Sequence, residues 1–354
     1  MTFPSALPVS RVGDSMEAPP LRWGILGPGS IADRFAAALT TRTRQTVQAV
    51  GSRTLGAATA FAERRGVPRA YGSYDALVAD PDVDIVYVAT PHNFHRPHAL
   101  LALQAGKHVL VEKPMTLNVS EAREVAALAR AKGLFAMEAL WTLFLPKFDV
   151  LRQLLADGAV GDVRTVLADH GQYFEAGHRI LRPDLAGGPM LDLMTYPASF
   201  AHWVIGAPTE VRALTTWVPS GVTGQTAIMY AAAGDRQALL HSSVLGPTPT
   251  TGSIGGSTGH LFLDGDFYTP GGFTLTSRTG RRLRYDEPPV GHEALHFQAA
   301  EAARRIDAGE VESPVRPLQA TIETMAIMDE ARRQIGERFA EEGASPEGPE
   351  ESRS

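Results

Sequence analysis

Two charged residues at the end of an apolar segment form the first group with chemical potential. Val109–Val111 reads as a strand buried on both faces, Glu112 and Lys113 follow it directly, and Pro114 ends it. A parallel sheet binds ligands outside the carboxyl ends of its strands, so we expect both charges at the mouth of a site. A surface ion pair at a strand end is the other interpretation of the same residues.

A carboxylate and a phenol four residues apart form the second group. Gly187 and Gly188 precede Pro189, which suits the first turn of a helix. A helix beginning there would carry Asp192 and Tyr196 on one face, near its positive end. Pointing into a cavity, the two side chains would make an acid–base pair. The alternative is a helix-start aspartate and a core tyrosine whose hydroxyl is hydrogen-bonded.

A glycine-rich turn early in the chain has the spacing of a dinucleotide-binding motif. Residues 21–27 read as a strand, and Gly27, Gly29 and Ala32 fit the pattern GxGxxG/A. That pattern provides a tight turn, close approach of backbone to a pyrophosphate, and close packing of helix on strand. A helix that starts with Ser30 and Ile31 would aim its N-terminal amides at the phosphates. Similar glycine turns also occur without any ligand.

The end of the second predicted strand bears on the choice of cofactor. An acidic residue about 20 positions after the glycines usually holds the ribose of NAD, but no Asp or Glu occurs between Asp33 and Glu63. Ser52 and Arg53 stand there instead, and a guanidinium offers a planar donor fork suited to phosphate. We therefore favour NADP over NAD. The alternative is an arginine that merely opens the next helix.

Two groups of histidines raise the question of a metal. His92, His95 and His98 recur at intervals of three, which brings side chains together on a helix, but no carboxylate lies nearby in sequence. A structural or cofactor-contacting turn is the other interpretation. His292 and His296 belong to an HExxH segment, the signature of zinc proteases, without a third histidine at the metzincin spacing. We predict no metal, and a zinc hydrolase stays as an alternative.

Composition describes an ordinary globular protein. The 354 residues are 44% hydrophobic and 20% charged, with a formal net charge of −6. This charge does not attract nucleic acid or an anionic membrane, and no apolar segment approaches the ~18 residues of a membrane span. Cysteine is absent, which removes disulfides and thiolate sites and fits a cytoplasmic protein. The first residues have no secretory apolar segment.

The pattern of elements predicts an α/β protein with two domains. Strands and helices alternate over residues 21–140, which indicates a doubly wound parallel sheet of the Rossmann type. Residues 141–338 read as an α+β domain, with a large, mostly antiparallel open sheet over 210–285 and two closing helices. We expect residues 1–20 to be a flexible arm and the Glu/Gly/Pro/Ser-rich residues 341–354 to be disordered.

Four motifs taken together resemble those of the Gfo/Idh/MocA oxidoreductases. They are the glycine turn, the Ser-Arg pair after the second strand, the ATPHNFH segment at residues 89–95 and the EKP segment at 112–114. The likeness extends from about Leu21 to Gln334. Glu138-Ala-Leu-Trp and the later tyrosine resemble the branch of dimeric dihydrodiol dehydrogenase and glucose–fructose oxidoreductase.

This resemblance implies hydride transfer between NADP, or NAD, and a secondary alcohol or hemiacetal carbon of a sugar, polyol or dihydrodiol. Tyr196 would be the general acid–base, Lys113 the cation that makes a phenol usable near neutral pH, and Asp192 the residue that orients Lys113 or substrate. Trp141 would form a wall for the substrate and Arg179 a polar contact. Residues implied in cofactor binding are Gly27, Gly29, Ser30, Ile31, Ala32, Ser52, Arg53, Thr90, Pro91, Asn93, His95, Glu112 and Lys113.

The chain departs from the family pattern at two positions, and the resemblance has implications for assembly and for an alternative function. The family has glycine where this chain has Ala186 and Met194, so helix packing or the width of the substrate pocket is expected to differ there. The resemblance also implies a homodimer formed through the open sheet of the second domain. A non-catalytic dinucleotide sensor of the same fold is the alternative function, although a sensor has no need of Lys113, Asp192 and Tyr196.

Overall fold

The computed structural model describes residues 3–343. Within them, six parallel strands form the first sheet in the order β3-β2-β1-β4-β5-β6. These strands are β1 (Arg22–Leu26), β2 (Thr46–Gly51), β3 (Arg69–Tyr71), β4 (Ile85–Val88), β5 (His108–Glu112) and β6 (Ala136–Ala139). The helices between them are α1 (Ser30–Arg42), α2 (Leu55–Arg65), α3 (Tyr74–Val78), α4 (His95–Gln104) and α5 (Val119–Lys132). The predicted doubly wound parallel sheet is therefore confirmed.

The reversal of strand order between β1 and β4 decides where this half of the molecule can bind a ligand. Helices leave the sheet in opposite directions on either side of that point, which opens a crevice at the carboxyl ends of the strands. All four residues of β4 are buried, as are the last four of β5. Such apolar central strands supply a rigid base for the segments that follow them.

Eight strands within the described residues form the second sheet. They are β7 (Val163–Gly171), β8 (Pro208–Trp217), β9 (Thr223–Ala232), β10 (Arg236–Ser243), β11 (Gly252–Gly256), β12 (Gly259–Leu263), β13 (Phe273–Ser277) and β14 (Arg282–Tyr285). Their order is β14-β13-β12-β11-β7-β10-β9-β8, and β7 with β10 is the parallel pair among otherwise antiparallel neighbours. The predicted, mostly antiparallel sheet is confirmed, with β11 as a strand that the glycine-rich sequence concealed.

Helices pack on one face of the second sheet and leave the other open. The helices of this half are α6 (Pro146–Ala156), α7 (Pro189–Asp192), α8 (Thr195–Ile205), α9 (His296–Asp307) and α10 (Leu318–Ile335), of which α7, α8 and α10 contact the sheet. α8 packs against β7 and β10, and α10 packs against β8 and α5. α10 thereby ties the second sheet to the first half of the molecule. No helix among the described residues has both the length and the apolar character that a bilayer crossing requires.

The N-terminal segment makes specific contacts with the body of the protein. Residues 1–20 are expected to be a flexible arm, yet within the described part Arg11 N donates to Asp149 Oδ2 at 2.7 Å. Further along, the Arg304 guanidinium donates to the Asp14 carbonyl at 2.6 Å. At the other end, residues 340–343 form a 3-10 turn, and the remainder of the tail predicted for 341–354 lies outside the described residues.

Candidate active site

A cleft of about 780 Å³ runs between the carboxyl edge of the first sheet and the second domain. This volume lies within the range of small-molecule sites, about 300–1,000 Å³. One end is lined by the glycine turn with Ser52 and Arg53, and the other by Lys113, Asp192 and Tyr196. The two groups of residues singled out from the sequence therefore share one cavity.

The glycine turn has the geometry that a phosphate-binding loop needs. Gly27 has φ +91°, and a Cβ there would lie 2.9 Å from the Ala89 carbonyl oxygen, so a side chain is excluded twice. A Cβ on Gly29 would meet no protein atom within 4 Å, and this residue lines the cleft at the start of α1. Ala32 is fully buried behind the turn. The free amides at the start of α1 thus fit a pyrophosphate.

At the other end of the cleft, the Lys113 ammonium lies at the centre of the polar contacts. Its Nζ donates to the Asp192 carbonyl at 2.8 Å and to Asp192 Oδ1 at 2.9 Å. It also lies 5.0 Å from the centroid of the Tyr196 ring. Arg179 donates to the other carboxylate oxygen, Oδ2, at 2.9 Å. The cation from the first domain and the phenol from the second therefore face one another across the cleft.

The helix expected to carry both Asp192 and Tyr196 is broken between them. α7 ends at Asp192, and α8 begins at Thr195. Pro197 explains the new start, because proline lacks an N–H and is tolerated in the first turn of a helix but not in its interior. Tyr196 N donates to the Leu193 carbonyl rather than to that of Asp192. The Asp192 carbonyl is thus free of helical bonding and accepts from Lys113 instead.

The charges of this pair stabilise each other although both side chains are mostly buried, with 14% and 15% exposed. Burial alone would lower the pKa of Lys113, but the attraction of Asp192 and Tyr196 outweighs it and raises the pKa. Burial alone would raise the pKa of Asp192, yet Lys113 and Arg179 hold it well below its usual range. Lys113 is consequently a permanent cation and Asp192 a permanent anion across the neutral pH range.

Tyr196 is buried, with an exposed fraction of 7%, and its hydroxyl has a specific donor. Trp141 Nε1 donates to Tyr196 Oη at 3.3 Å, and the Tyr268 ring stacks on the Tyr196 ring at 4.3 Å. Burial raises the pKa of Tyr196, and Lys113 counteracts that rise only in part. The phenol is therefore neutral in the unliganded protein and can give up its proton to a substrate oxygen.

Glu112 stabilises the start of the loop that carries Lys113 through hydrogen bonds. Its carboxylate accepts hydrogen bonds from the Tyr87 hydroxyl and, at 3.1 Å, from Lys113 N. Burial raises the pKa of Glu112 to about 7, although both donors oppose the shift. His95 fixes the following loop, because its two ring nitrogens lie 2.7 Å from the Pro114 carbonyl oxygen and 2.8 Å from that of Thr90. The ends of β4 and β5 are thereby locked together.

The histidines do not assemble a metal site. Burial lowers the pKa of His92 to about 3 and that of His98 to about 4, so both rings are neutral. His292 lies in a 3-10 turn and contacts Arg34, whereas His296 begins α9 and contacts Ser15. In a zinc-protease HExxH segment both histidines lie on one face of a single helix, which is not the arrangement of His292 and His296 here. Within residues 3–343, no group of three His, Cys, Asp or Glu side chains is placed to hold a metal ion.

Most residues predicted for the site line the cleft. These are Gly27, Gly29, Ser30, Ile31, Ser52, Arg53, Thr90, Pro91, His95, Glu112, Lys113, Trp141, Arg179, Asp192 and Tyr196. Ala32 lies behind the turn, and Asn93 lies outside the lining. As for the departures from the family pattern, Ala186 adopts a left-handed conformation with φ 50°, and Met194 is fully buried in the core.

Sequence reasoning missed several lining residues, among them Tyr74, His170, Gln172, His178 and Tyr268. His170 is the penultimate residue of β7, and Tyr268 lies in the loop between β12 and β13, where it packs on both His170 and Tyr196. These residues belong to no motif and reach the cleft only through the packing of distant segments. The signal available for His170 was its position at the end of a long strand.

Comparison with known proteins extends this description. A family model described as an oxidoreductase family with an NAD-binding Rossmann fold matches residues 21–140, and a GFO/IDH/MocA C-terminal domain model matches residues 148–262. Trans-1,2-dihydrobenzene-1,2-diol dehydrogenases of Mus musculus and Bos taurus are 34% and 35% identical to the chain; each match covers 91% of this chain and 99% of the relative.

Among solved structures, a 3-ketoreductase from Actinomadura kijaniata in complex with NADP and TDP-benzene superimposes with a TM-score of 0.80. It is 27% identical, and the match covers 90% of this chain and 98% of the other. The similarity thus extends over both domains.

Proposed function

The chain belongs to the Gfo/Idh/MocA family of oxidoreductases, and we propose that it transfers a hydride between NADP and a secondary alcohol or hemiacetal carbon of a sugar, polyol or dihydrodiol. The observation that carries the proposal is the placement of Lys113 Nζ 5.0 Å from the Tyr196 ring centroid, in a cleft that begins at a phosphate-binding turn. The names of the relatives, a dihydrodiol dehydrogenase and a 3-ketoreductase, support the same class of reaction.

The dinucleotide, when bound, supplies the hydride acceptor or donor. Tyr196 handles the proton: in reduction of a carbonyl it protonates the developing alkoxide, and in oxidation of an alcohol it takes the hydroxyl proton. The neutral phenol of the unliganded protein is suited to the reduction of a carbonyl. The Lys113 ammonium and the Trp141 N–H stabilise the phenolate that remains, because both are aimed at the ring or its oxygen.

Asp192 would position the cation rather than exchange protons. Its carboxylate is held between Lys113 and Arg179, and its pKa lies too low for it to take up a proton near neutral pH. Trp141 and Arg179 both line the cleft beside Tyr196, which is consistent with a wall and a polar contact for the substrate.

Arg53 supports NADP as the cofactor. The residue lines the nucleotide end of the cleft, and no carboxylate within the described part of the chain forms an ion pair with it. An unpaired guanidinium beside the position of the ribose is suited to a 2′-phosphate. The Actinomadura relative was solved with NADP.

A homodimer through the open face of the second sheet is part of the proposal. Leu239 lies beside Leu167 on β7 and Met229 on β9, and all three side chains are about half exposed. Leu214 on β8 is 78% exposed on the same sheet. A row of exposed apolar residues across adjacent strands is typical of a surface that another protein covers, here a second copy of the chain.

The direct test is a screen of aldoses, polyols, dihydrodiols and dicarbonyls with NADPH, NADP, NADH and NAD, followed by nicotinamide absorbance. We expect turnover of at least one compound class, and loss of that turnover in Lys113→Ala. NADPH binding without turnover of any compound would contradict an enzyme and favour the dinucleotide sensor.

A further inference from the structure

The HEALH segment, residues 292–296, has a structural position that neither zinc chemistry nor the proposed reaction accounts for. Residues 291–295 form a 3-10 turn between the second sheet and α9. Its side chains contact the nucleotide-binding half of the molecule, although the segment belongs to the other half by sequence. His292 also lines the cleft.

Two side chains of this segment bind α1, the helix whose first turn faces the phosphate site. Glu293 forms an ion pair with Arg42 near the end of α1. Arg34 Nη1 lies 3.1 Å from Nδ1 and 2.9 Å from Nε2 of His292. An in-plane approach at such similar distances would collide with the carbon between the two nitrogens, so the guanidinium lies over the face of the ring. A cation over an aromatic face is attractive when the imidazole is neutral.

The ring of His292 also contacts the residue that hydrogen-bonds the phenol. It is stacked on the Trp141 indole, with centroids 5.5 Å apart and an interplanar angle of 13°. Trp141 is 3% exposed, and its Nε1 donates to Tyr196 Oη at 3.3 Å. A continuous set of contacts thus leads from α1 through His292 and Trp141 to the hydroxyl of Tyr196.

We propose that His292 is a positioning residue for the reaction: Arg34 holds its ring against α1, and the ring fixes the Trp141 indole in the orientation that donates to Tyr196. This proposal rests on the role assigned to Tyr196 above. Through His292, the HEALH segment would keep Tyr196 aligned with α1, the helix at the phosphate end of the cleft.

The physical consequence concerns the phenolate of Tyr196. A donor aimed at Oη favours the ionised form, so a misplaced Trp141 raises the pKa of Tyr196 and weakens stabilisation of the phenolate. The other groups around the phenol stay in place in these variants, so a change in the pKa of Tyr196 reports the position of Trp141. These groups are Lys113 and Glu112 from β5 and its following loop, Asp192 from α7, His170 from β7 and Tyr268 from the β12–β13 loop.

The test is a double-mutant cycle with His292→Ala, Trp141→Phe and the combination. Because loss of one hydrogen bond to a charged oxygen costs roughly tenfold or more in rate, each single variant should lower kcat by about that factor. If His292 acts through Trp141, adding His292→Ala to Trp141→Phe should lower kcat no further. His292→Phe, which keeps a ring, should recover most of the loss. His296→Ala, whose native side chain contacts Ser15, serves as the matched control and should leave kcat unchanged.

A second readout needs no turnover. Tyrosinate absorbance of the unliganded protein, titrated with pH and corrected with Tyr196→Phe, reports the pKa of Tyr196. This pKa should rise in His292→Ala and in Trp141→Phe and stay constant in His296→Ala. An unchanged pKa, or losses in kcat that multiply in the double variant, would overturn the proposal. Failure of the proposed function would instead appear as absence of turnover in the wild-type protein.

Discussion

At the scale of single residues, the chemistry depends on how two mostly buried charges are compensated. Lys113 and Asp192 would each lose their charge if buried alone, and each keeps it because the other lies at 2.9 Å. The compensation leaves a cation beside a neutral phenol. Tyr196 therefore has the protonation state of an acid and the electrostatic support that a conjugate base needs.

Glu112 gives a prediction about stability and pH. The folded-state pKa near 7 exceeds the ordinary value of 4.5, so the folded protein holds a proton that the unfolded chain releases. The associated stability is present below about pH 4.5 and is lost as pH rises through about 7, by up to about 3 kcal/mol. Glu112→Gln should therefore gain thermal stability relative to wild type between about pH 5 and pH 8. A difference in melting temperature that does not change with pH would contradict this.

Arg53 gives a prediction about cofactor choice. Arg53→Gln should lower the ratio of kcat/KM for NADPH to that for NADH by roughly 10- to 100-fold, since a charge-assisted bond to phosphate is lost. Steady-state kinetics with both cofactors measure the ratio. Arg44→Gln changes an exposed arginine near the opposite end of β2 and should leave it unaltered. An equal effect of the two variants would exclude a specific role for Arg53.

At the scale of elements, a buried ion pair ties the second domain to the loop that carries Lys113. Arg316 Nη2 lies 2.7 Å from Glu138 Oε2, and both side chains are 1% exposed. Glu138, in β6, also accepts from Met115 N at 3.0 Å and from Thr321 in α10 at 3.1 Å. One carboxylate thus joins β6, α10 and the segment that follows β5.

Removing one partner of this pair should be strongly destabilising. Arg316→Met leaves the Glu138 carboxylate buried without its cation, and we expect a loss of about 3–5 kcal/mol in the free energy of unfolding. Urea denaturation measures it. Arg316→Met combined with Glu138→Gln removes the buried charge and should recover part of the loss. If Arg316→Met unfolds within about 1 kcal/mol of wild type, the pair does not have this structural role.

The elements were largely predictable from sequence, and the exceptions have physical causes. The alternating strands and helices of residues 21–140 and the two closing helices follow from the sequence, because helices such as α5 and α10 combine a clear apolar period with a sharp end, Gly133 after α5 and Gly336 after α10. β11 has the sequence GSIGG, which offers no alternation of apolar residues, and it pairs only because β7 and β12 lie on either side.

Site residues that belong to sequence motifs were predictable, whereas those that reach the cleft through tertiary packing were not. Lys113 and Tyr196 follow from local patterns, whereas Tyr268 reaches the phenol through a loop that Thr142 holds by a 2.8 Å bond to the Tyr268 carbonyl. Contacts between residues more than a hundred positions apart leave no trace in local spacing. The sequence predicts one continuous helix across Leu193 because the glycine–proline start of α7 is a stronger local signal than Pro197, which marks the first turn of α8.

At the scale of the whole molecule, the exposed apolar row on the second sheet predicts self-association. Leu239→Lys places a charge beside Leu167 and Met229 and should convert a dimer into monomers, because an unpaired charge cannot be buried cheaply. Sedimentation velocity measures the state. Val9→Lys alters a residue that is 85% exposed in the N-terminal segment and serves as the control. A Leu239→Lys protein with the sedimentation behaviour of wild type would exclude this face as the interface.

The arrangement of the whole chain serves one juxtaposition, a cation from the first domain facing a phenol from the second. The most direct measurement is the kcat of the Tyr196→Phe variant with a substrate found in the screen. The dissociation constant of NADPH from the same variant is measured alongside it. We predict a fall in kcat of about 10²–10⁴ with the dissociation constant unchanged within about twofold, because the ring remains and only the hydroxyl that transfers the proton is lost. A kcat near that of wild type would contradict the role of Tyr196 as the proton donor and acceptor.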